Sequence, residues 1–178
     1  MTATKKIAVI ALMAATLSGG KTALSFVPNV EIVTVLIALY AYVFGLSYVF
    51  PCVLVFVTAE IFIWGLNTWV VSYYIYWPTV AFVFSVLGKR QAKLFAVTLS
   101  AVILTLFFGV LTSLIDVGLL TGSFDNFWYR FAVMYARGIV FFAVHVFSNL
   151  IVFLALFNPL EKTLEKLKKQ LENKNAVL

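Results

Sequence analysis

The chain has 178 residues, of which 63% are apolar and 11% are charged. Soluble globular domains are roughly half apolar and a quarter charged, so this composition excludes an ordinary soluble enzyme or binding domain. The single cysteine, Cys52, excludes an internal disulfide, and no Cys/His cluster has metal-ligand spacing. We therefore expect a membrane protein without a structural metal.

Six membrane spans of roughly 20 residues each fit this length. Apolar length, punctuated by Gly, Pro and charge, predicts helices over residues 6–25, 30–46, 50–66, 72–88, 94–115 and 128–157. The predicted fold is therefore an all-α integral membrane protein, with a six-helix membrane domain over residues 1–158 and a cytoplasmic tail over residues 159–178.

The first predicted helix follows Lys5 and Lys6 and lacks a small-x-small cleavage signature, so we interpret it as a retained helix, not a signal peptide. One face carries small residues, namely Ala8, Ala11, Ala15 and Ser18 or Gly19. Small residues let another helix approach closely in lipid. This stripe is therefore a candidate docking surface for another protein, and the alternative is packing against a helix of the same chain.

Polar and aromatic residues gather toward one end of the later helices. The candidate substrate-binding residues are Asn29, Glu31, Glu60, Trp64, Asn67, Tyr73, Trp77, Arg130, Arg137, Phe141 and His145. Ionisable groups are costly in hydrocarbon and usually face a cavity, a partner or a substrate. The arrangement predicts an outward-facing pocket with aromatic walls and a few orienting charges, capped by the turn at Pro28 and Asn29.

Two structural alternatives exist for these polar groups. Glu60 or Glu31 could form an ion pair with Arg137 that holds helices together and touches no substrate. His145 could, with Asn149 one turn further on, make a hydrogen bond between helices.

The positive charges favour the other side of the membrane. Those assigned to the cytoplasm are Lys5, Lys6, Lys89, Arg90, Lys93, Lys162, Lys166, Lys168, Lys169 and Lys174. Short loops rich in Lys and Arg stay in the cytoplasm, so both termini are predicted to be cytoplasmic in a multi-pass protein of the bacterial plasma membrane. This topology accounts for the net charge of +6, and no nucleic-acid partner is expected.

After Pro159 the leucines recur among lysines and glutamates, at Leu160, Leu164, Leu167 and Leu171. This spacing predicts a short amphipathic helix on the inner membrane surface or on a partner, or else a solvated helix end. The chain has no Gly-x-Ser-x-Gly elbow, His-Glu-x-x-His motif or Walker loop. We therefore expect a non-catalytic chain without a cofactor; if it transports against a gradient, the energy must come from elsewhere.

The run from Lys6 to Leu46 resembles the S components of energy-coupling factor (ECF) transporters, which are ABC-type vitamin importers. The likeness consists of the Ala-rich first helix, the Pro-Asn-Val-Glu turn at residues 28–31 and the Val-Phe-Gly ending at residues 43–45. Length, six spans and cytoplasmic termini agree with that family across nearly the whole chain.

The resemblance implies that the protein captures a vitamin from outside with high affinity. It implies that Ala11 and Ala15 dock a transmembrane coupling subunit, which joins two cytoplasmic ATPases. It also implies that the S component topples in the bilayer, with the loop at about residues 25–29 acting as a lid.

Large aromatic surface with few charges indicates a bulky, mostly neutral ligand, and the first choice within the family is cobalamin. Pantothenate, a pyridoxine-like ring, riboflavin and a queuosine precursor are the alternatives. Two other classes are weighed as well: a membrane enzyme that uses Glu60 and His145 on a lipid-like substrate, and a self-sufficient channel or carrier.

Overall fold

The computed structural model describes residues 2–28, 30–120 and 124–173, and within these ranges the chain forms six helices and no strand. The helices are α1 (Ala3–Ala23), α2 (Val33–Phe44), α3 (Leu46–Trp64), α4 (Thr68–Lys89), α5 (Leu94–Leu120) and α6 (Phe127–Asn173). The predicted all-α class is confirmed. The largest difference from the predicted ranges is the length of α6.

Four of these helices, α3 to α6, are long and apolar enough to cross a membrane. α2 is apolar but has only 12 residues. Large apolar side chains are exposed on the outer faces, for example Phe62 at 86% and Phe95 at 79%. Such faces suit contact with lipid, which agrees with a membrane protein; six spans and cytoplasmic termini stay predictions.

The short second helix is separated from the third by one glycine. Gly45 has φ of +81°, a left-handed conformation that glycine adopts at little cost, and α3 begins at the next residue. The sequence predicted a turn bracketed by Gly45 and Pro51, but Pro51 lies inside α3. Gly65, with φ of +80°, ends α3 in the same way.

α2 is the central helix, because it packs against α1, α3, α4 and α6. Ten of its 12 residues are buried, and Leu36 and Phe44 are partly buried. The closest approach is to α4, where a Cβ placed on Gly88 would lie only 2.2 Å from the carbonyl oxygen of Tyr42. A helix that is apolar on every face is expected at the centre of such a bundle.

The cationic ends of several helices meet at one end of the bundle. Lys168 Nζ donates a hydrogen bond to the Val43 carbonyl at the end of α2 (2.8 Å), and the Tyr42 hydroxyl donates to the Ala92 carbonyl (3.0 Å). α6 runs through Pro159 to Asn173 without interruption. The domain boundary predicted between residues 158 and 159 therefore lies within one continuous helix, whose last turns lie against the end of α2.

Candidate functional site

A cavity of about 240 Å³ lies at the end of the bundle opposite the lysine-rich end. It opens between the segment that joins α1 to α2 and the helices α4, α5 and α6. We call it the outer cavity, and it is lined by Lys21, Leu24, Ser25, Val27, Pro28, Val30, Glu31, Val33, Tyr73, Trp77, Phe108 and His145. Four of the predicted site residues, Glu31, Tyr73, Trp77 and His145, are thus brought together.

Glu31 is fixed by contacts to two helices. Its Oε2 accepts a hydrogen bond from the Thr34 backbone N–H (2.8 Å), which caps α2, and its Oε1 accepts the Thr34 hydroxyl. His145 Nε2 of α6 lies 3.2 Å from the same Oε1. Burial disfavours the charged form, but the hydrogen bonds and charge of His145 and the bonds from Thr34 outweigh it, and the pKa of the Glu31 carboxyl is lowered. The cavity therefore holds the Glu31 carboxylate together with the Lys21 side chain.

Glu60 was predicted to contact substrate, but it does not line the outer cavity. Its side chain is 1% exposed and forms an ion pair with Lys21 of α1. The Lys21 ammonium also lies 4.4 Å from the ring centre of Trp69 and 4.8 Å from that of Tyr73. Lys21 lines the cavity, although the sequence analysis did not include it among the candidate site residues.

Aromatic rings form the inner wall of the cavity. Tyr73 and Trp77, both predicted, have ring centres 5.3 Å apart, and Phe108 stacks on Trp77 at 6.5 Å with an interplanar angle of 23°. Phe108 also meets the His145 ring edge-on at 5.5 Å. Phe108 was missed because it lies in an unbroken apolar run of α5 in which neither charge nor spacing marks it.

The remaining predicted substrate residues lie elsewhere. Trp64 is 46% exposed, and Asn67 Nδ2 donates to its carbonyl (3.0 Å) in the turn between α3 and α4. Four of the predicted residues lie on α6. Of these, His145 lines the cavity, and the other three, Arg130, Arg137 and Phe141, do not. Asn29 lies outside the described residues.

The alternative ion pairs with Arg137 do not form among the described residues, because Glu31 pairs with His145 and Glu60 with Lys21. The alternative for His145 and Asn149 agrees with these contacts, since both residues connect α6 to other segments: His145 Nε2 lies 3.2 Å from Glu31 Oε1, and Asn149 Nδ2 donates to Thr105 Oγ1 (3.0 Å). Glu60 and His145, the pair of the enzyme alternative, therefore have separate partners.

The small-residue stripe of α1 faces outward. Its members Ala8, Ala11, Ala15 and Gly19 are exposed. The buried residues of this helix are Met13, Ala14 and Leu17, which lie on the opposite face. A Cβ placed on Gly19 would meet no atom within 4 Å. Packing within the chain therefore does not account for the stripe in the described structure.

No protein-family model, curated protein or solved structure matches this chain.

Proposed function

We propose that this protein is the substrate-binding S component of an ECF-type ABC importer. In this role it binds a vitamin in the outer cavity and delivers it to a transmembrane coupling subunit driven by two cytoplasmic ATPases. The observation that carries the proposal is the cavity itself. Aromatic rings of α4 and α5 and the hydrogen-bonded pair of Glu31 and His145 surround a space inside an apolar helical bundle.

The polarity of the bundle supports the proposed orientation. The outer cavity and the cationic end with Lys168 lie at opposite ends, as expected if lysines stay in the cytoplasm and the cavity faces outside. In this arrangement α1 and α2 complete six spans and both termini are cytoplasmic. The exposed alanine stripe of α1 supplies a surface for the coupling subunit.

The dimensions of the cavity favour a compact ligand. Pockets for drug-sized ligands measure about 300–1,000 Å³, and this one measures about 240 Å³. A single or fused aromatic ring, such as a pyridoxine-like ring or a queuosine precursor, fits it better than cobalamin, the first choice from sequence.

The charge of the cavity also bears on the ligand. A carboxylate offers about four acceptor positions, and Thr34 and His145 occupy three on Glu31. The position that is left can accept a hydrogen bond from a ring N–H, an amine or a hydroxyl. This favours a neutral or cationic ligand over the pantothenate anion.

Direct binding tests the proposal. The purified chain is titrated with pyridoxine, riboflavin, pantothenate and cobalamin while tryptophan fluorescence is recorded, since Trp77 lines the cavity. Mass spectrometry identifies small molecules that remain bound through purification. We expect tight binding of one vitamin and no turnover by the isolated chain.

Phe108→Ala removes a cavity wall and should weaken that binding by about tenfold, the size expected for one lost aromatic contact. Phe107→Ala is the matched control, because Phe107 is 44% exposed and does not line the cavity. Absence of any bound or retained vitamin, or equal effects of the two substitutions, contradicts the proposal.

A further inference from the structure

Four polar side chains lie one layer deeper than the outer cavity, and we call them the inner polar cluster: Thr34, Tyr76, Thr105 and Asn149. Each is at most 1% exposed, and each comes from a different helix, α2, α4, α5 and α6. Buried polar groups in an apolar bundle are costly unless they are hydrogen-bonded. A cluster of four therefore requires an explanation.

The cluster repeats the arrangement of the outer cavity one turn further in. Thr34 follows Glu31 by three residues, and Tyr76 follows Tyr73 by three. On the other two helices Thr105 is three residues from Phe108, and Asn149 is four from His145. One helical turn rises about 5.4 Å. The cluster is thus a second polar layer directly beneath the residues that line the cavity.

The two layers are connected. Thr34 donates its hydroxyl to Glu31, which lines the cavity. Phe108 lines the cavity, and its ring centre lies 4.6 Å from that of Tyr76. Phe108 therefore contacts both the cavity and the cluster.

The cluster has unused hydrogen-bonding capacity. Asn149 Nδ2 donates to Thr105, but Asn149 Oδ1 has no partner among the described residues, and the Tyr76 hydroxyl has none with hydrogen-bond geometry. One free acceptor and one hydroxyl match a group that can both donate and accept. Neither atom carries a charge that could compensate a charged group at this depth, and burial of an uncompensated charge is costly, so a neutral group is favoured.

We propose that the inner polar cluster is a subsite that receives an uncharged hydroxyl or amide group of the bound molecule, past the ring of Phe108. This inference rests on the proposed function, since it requires a small molecule in the outer cavity. It assigns the ligand an orientation: its neutral hydrogen-bonding end lies deep in the bundle, and its donor or cationic end lies at Glu31.

The test is Tyr76→Phe in the full chain, titrated with pyridoxine, riboflavin, pantothenate and cobalamin as probes. Loss of one buried hydrogen bond should weaken binding of the vitamin that binds wild-type protein by about tenfold. The unfolding temperature without vitamin should stay level or rise, because an unpartnered hydroxyl has been removed. Thr105→Val is a second, isosteric variant with the same expected loss of affinity.

Tyr74→Phe is the control, because Tyr74 is on the same helix but 37% exposed and bonded to Thr58. Unchanged affinity in both Tyr76→Phe and Thr105→Val, with wild-type binding intact, would show that the cluster holds internal water only, and overturns the subsite alone. Failure of every vitamin to bind wild-type protein overturns the proposed function, and the subsite with it.

Discussion

Lys21 and Glu60 form a largely enclosed ion pair, with the two side chains 20% and 1% exposed. Removal of one member leaves the other charge buried, which typically costs about 3–5 kcal/mol. We therefore expect Lys21→Met to lower the free energy of unfolding by roughly 3 kcal/mol. For a chain of this size that corresponds to a fall in unfolding temperature of about 6–12 °C, measured by tryptophan fluorescence in detergent.

A double variant separates the charge effect from lost packing. Lys21→Met combined with Glu60→Gln removes both charges and should recover part of the lost stability, because no unpaired buried charge is left. Lys166→Met, at an exposed position on the last turns of α6, should change the unfolding temperature little. A double variant less stable than Lys21→Met would show that the pair is not held by charge.

The residues that sequence analysis placed correctly in the site share one property. Glu31, Tyr73, Trp77 and His145 are polar or aromatic residues in largely apolar surroundings, where the cost of polar groups in hydrocarbon marks them. Phe108 has no such mark, because aromatic residues also face lipid throughout this chain. The sequence also did not indicate which charged residues form pairs, because Glu60 and Lys21 are 39 positions apart.

At the scale of helices, the packing of α2 on α4 depends on Gly88. A Cβ at this position would lie 2.2 Å from Tyr42 O and 2.7 Å from Tyr42 Cα, and backbone atoms cannot move aside as a flexible side chain can. Gly88→Ala should therefore separate the two helices and destabilise the protein by about 1–3 kcal/mol, the usual cost of overpacking. Thermal unfolding in detergent measures this loss.

Gly118→Ala is the matched control, in α5. A Cβ there meets no atom within 4 Å, and alanine is favoured over glycine in a helix by about 1 kcal/mol. This variant should be as stable as wild type or slightly more stable. If both substitutions have the same effect, the close approach of α2 and α4 does not contribute to stability.

The lengths of the apolar runs predicted where helices occur, but they did not predict the start of α3 or the end of α6. Pro51 suggested a break, yet α3 continues through it, and Gly45 alone separates α2 from α3. Pro159 suggested the end of the sixth helix, but α6 continues to Asn173. The composition changes from largely apolar to largely charged after residue 159, but the backbone stays helical.

For the whole molecule, the proposed function divides the surface between two partners. The outer cavity with Glu31 takes the ligand, and the exposed stripe with Ala15 takes the coupling subunit. These surfaces share α1, whose last turn contributes Lys21 to the cavity. Movement of α1 against a partner would therefore also move one wall of the ligand site, which links docking to release.

Docking is testable separately from binding. Ala15→Trp places a large side chain on the stripe and should abolish co-purification with a co-expressed coupling subunit and its two ATPases, because helices approach closely only over small residues. Vitamin binding by the isolated variant should match wild type, since Ala15 does not line the cavity. Ala143→Trp, at another exposed alanine on α6, is the matched control and should preserve assembly. If Ala15→Trp assembles as well as Ala143→Trp, the partner docks elsewhere, and the outward face of α1 contacts only lipid.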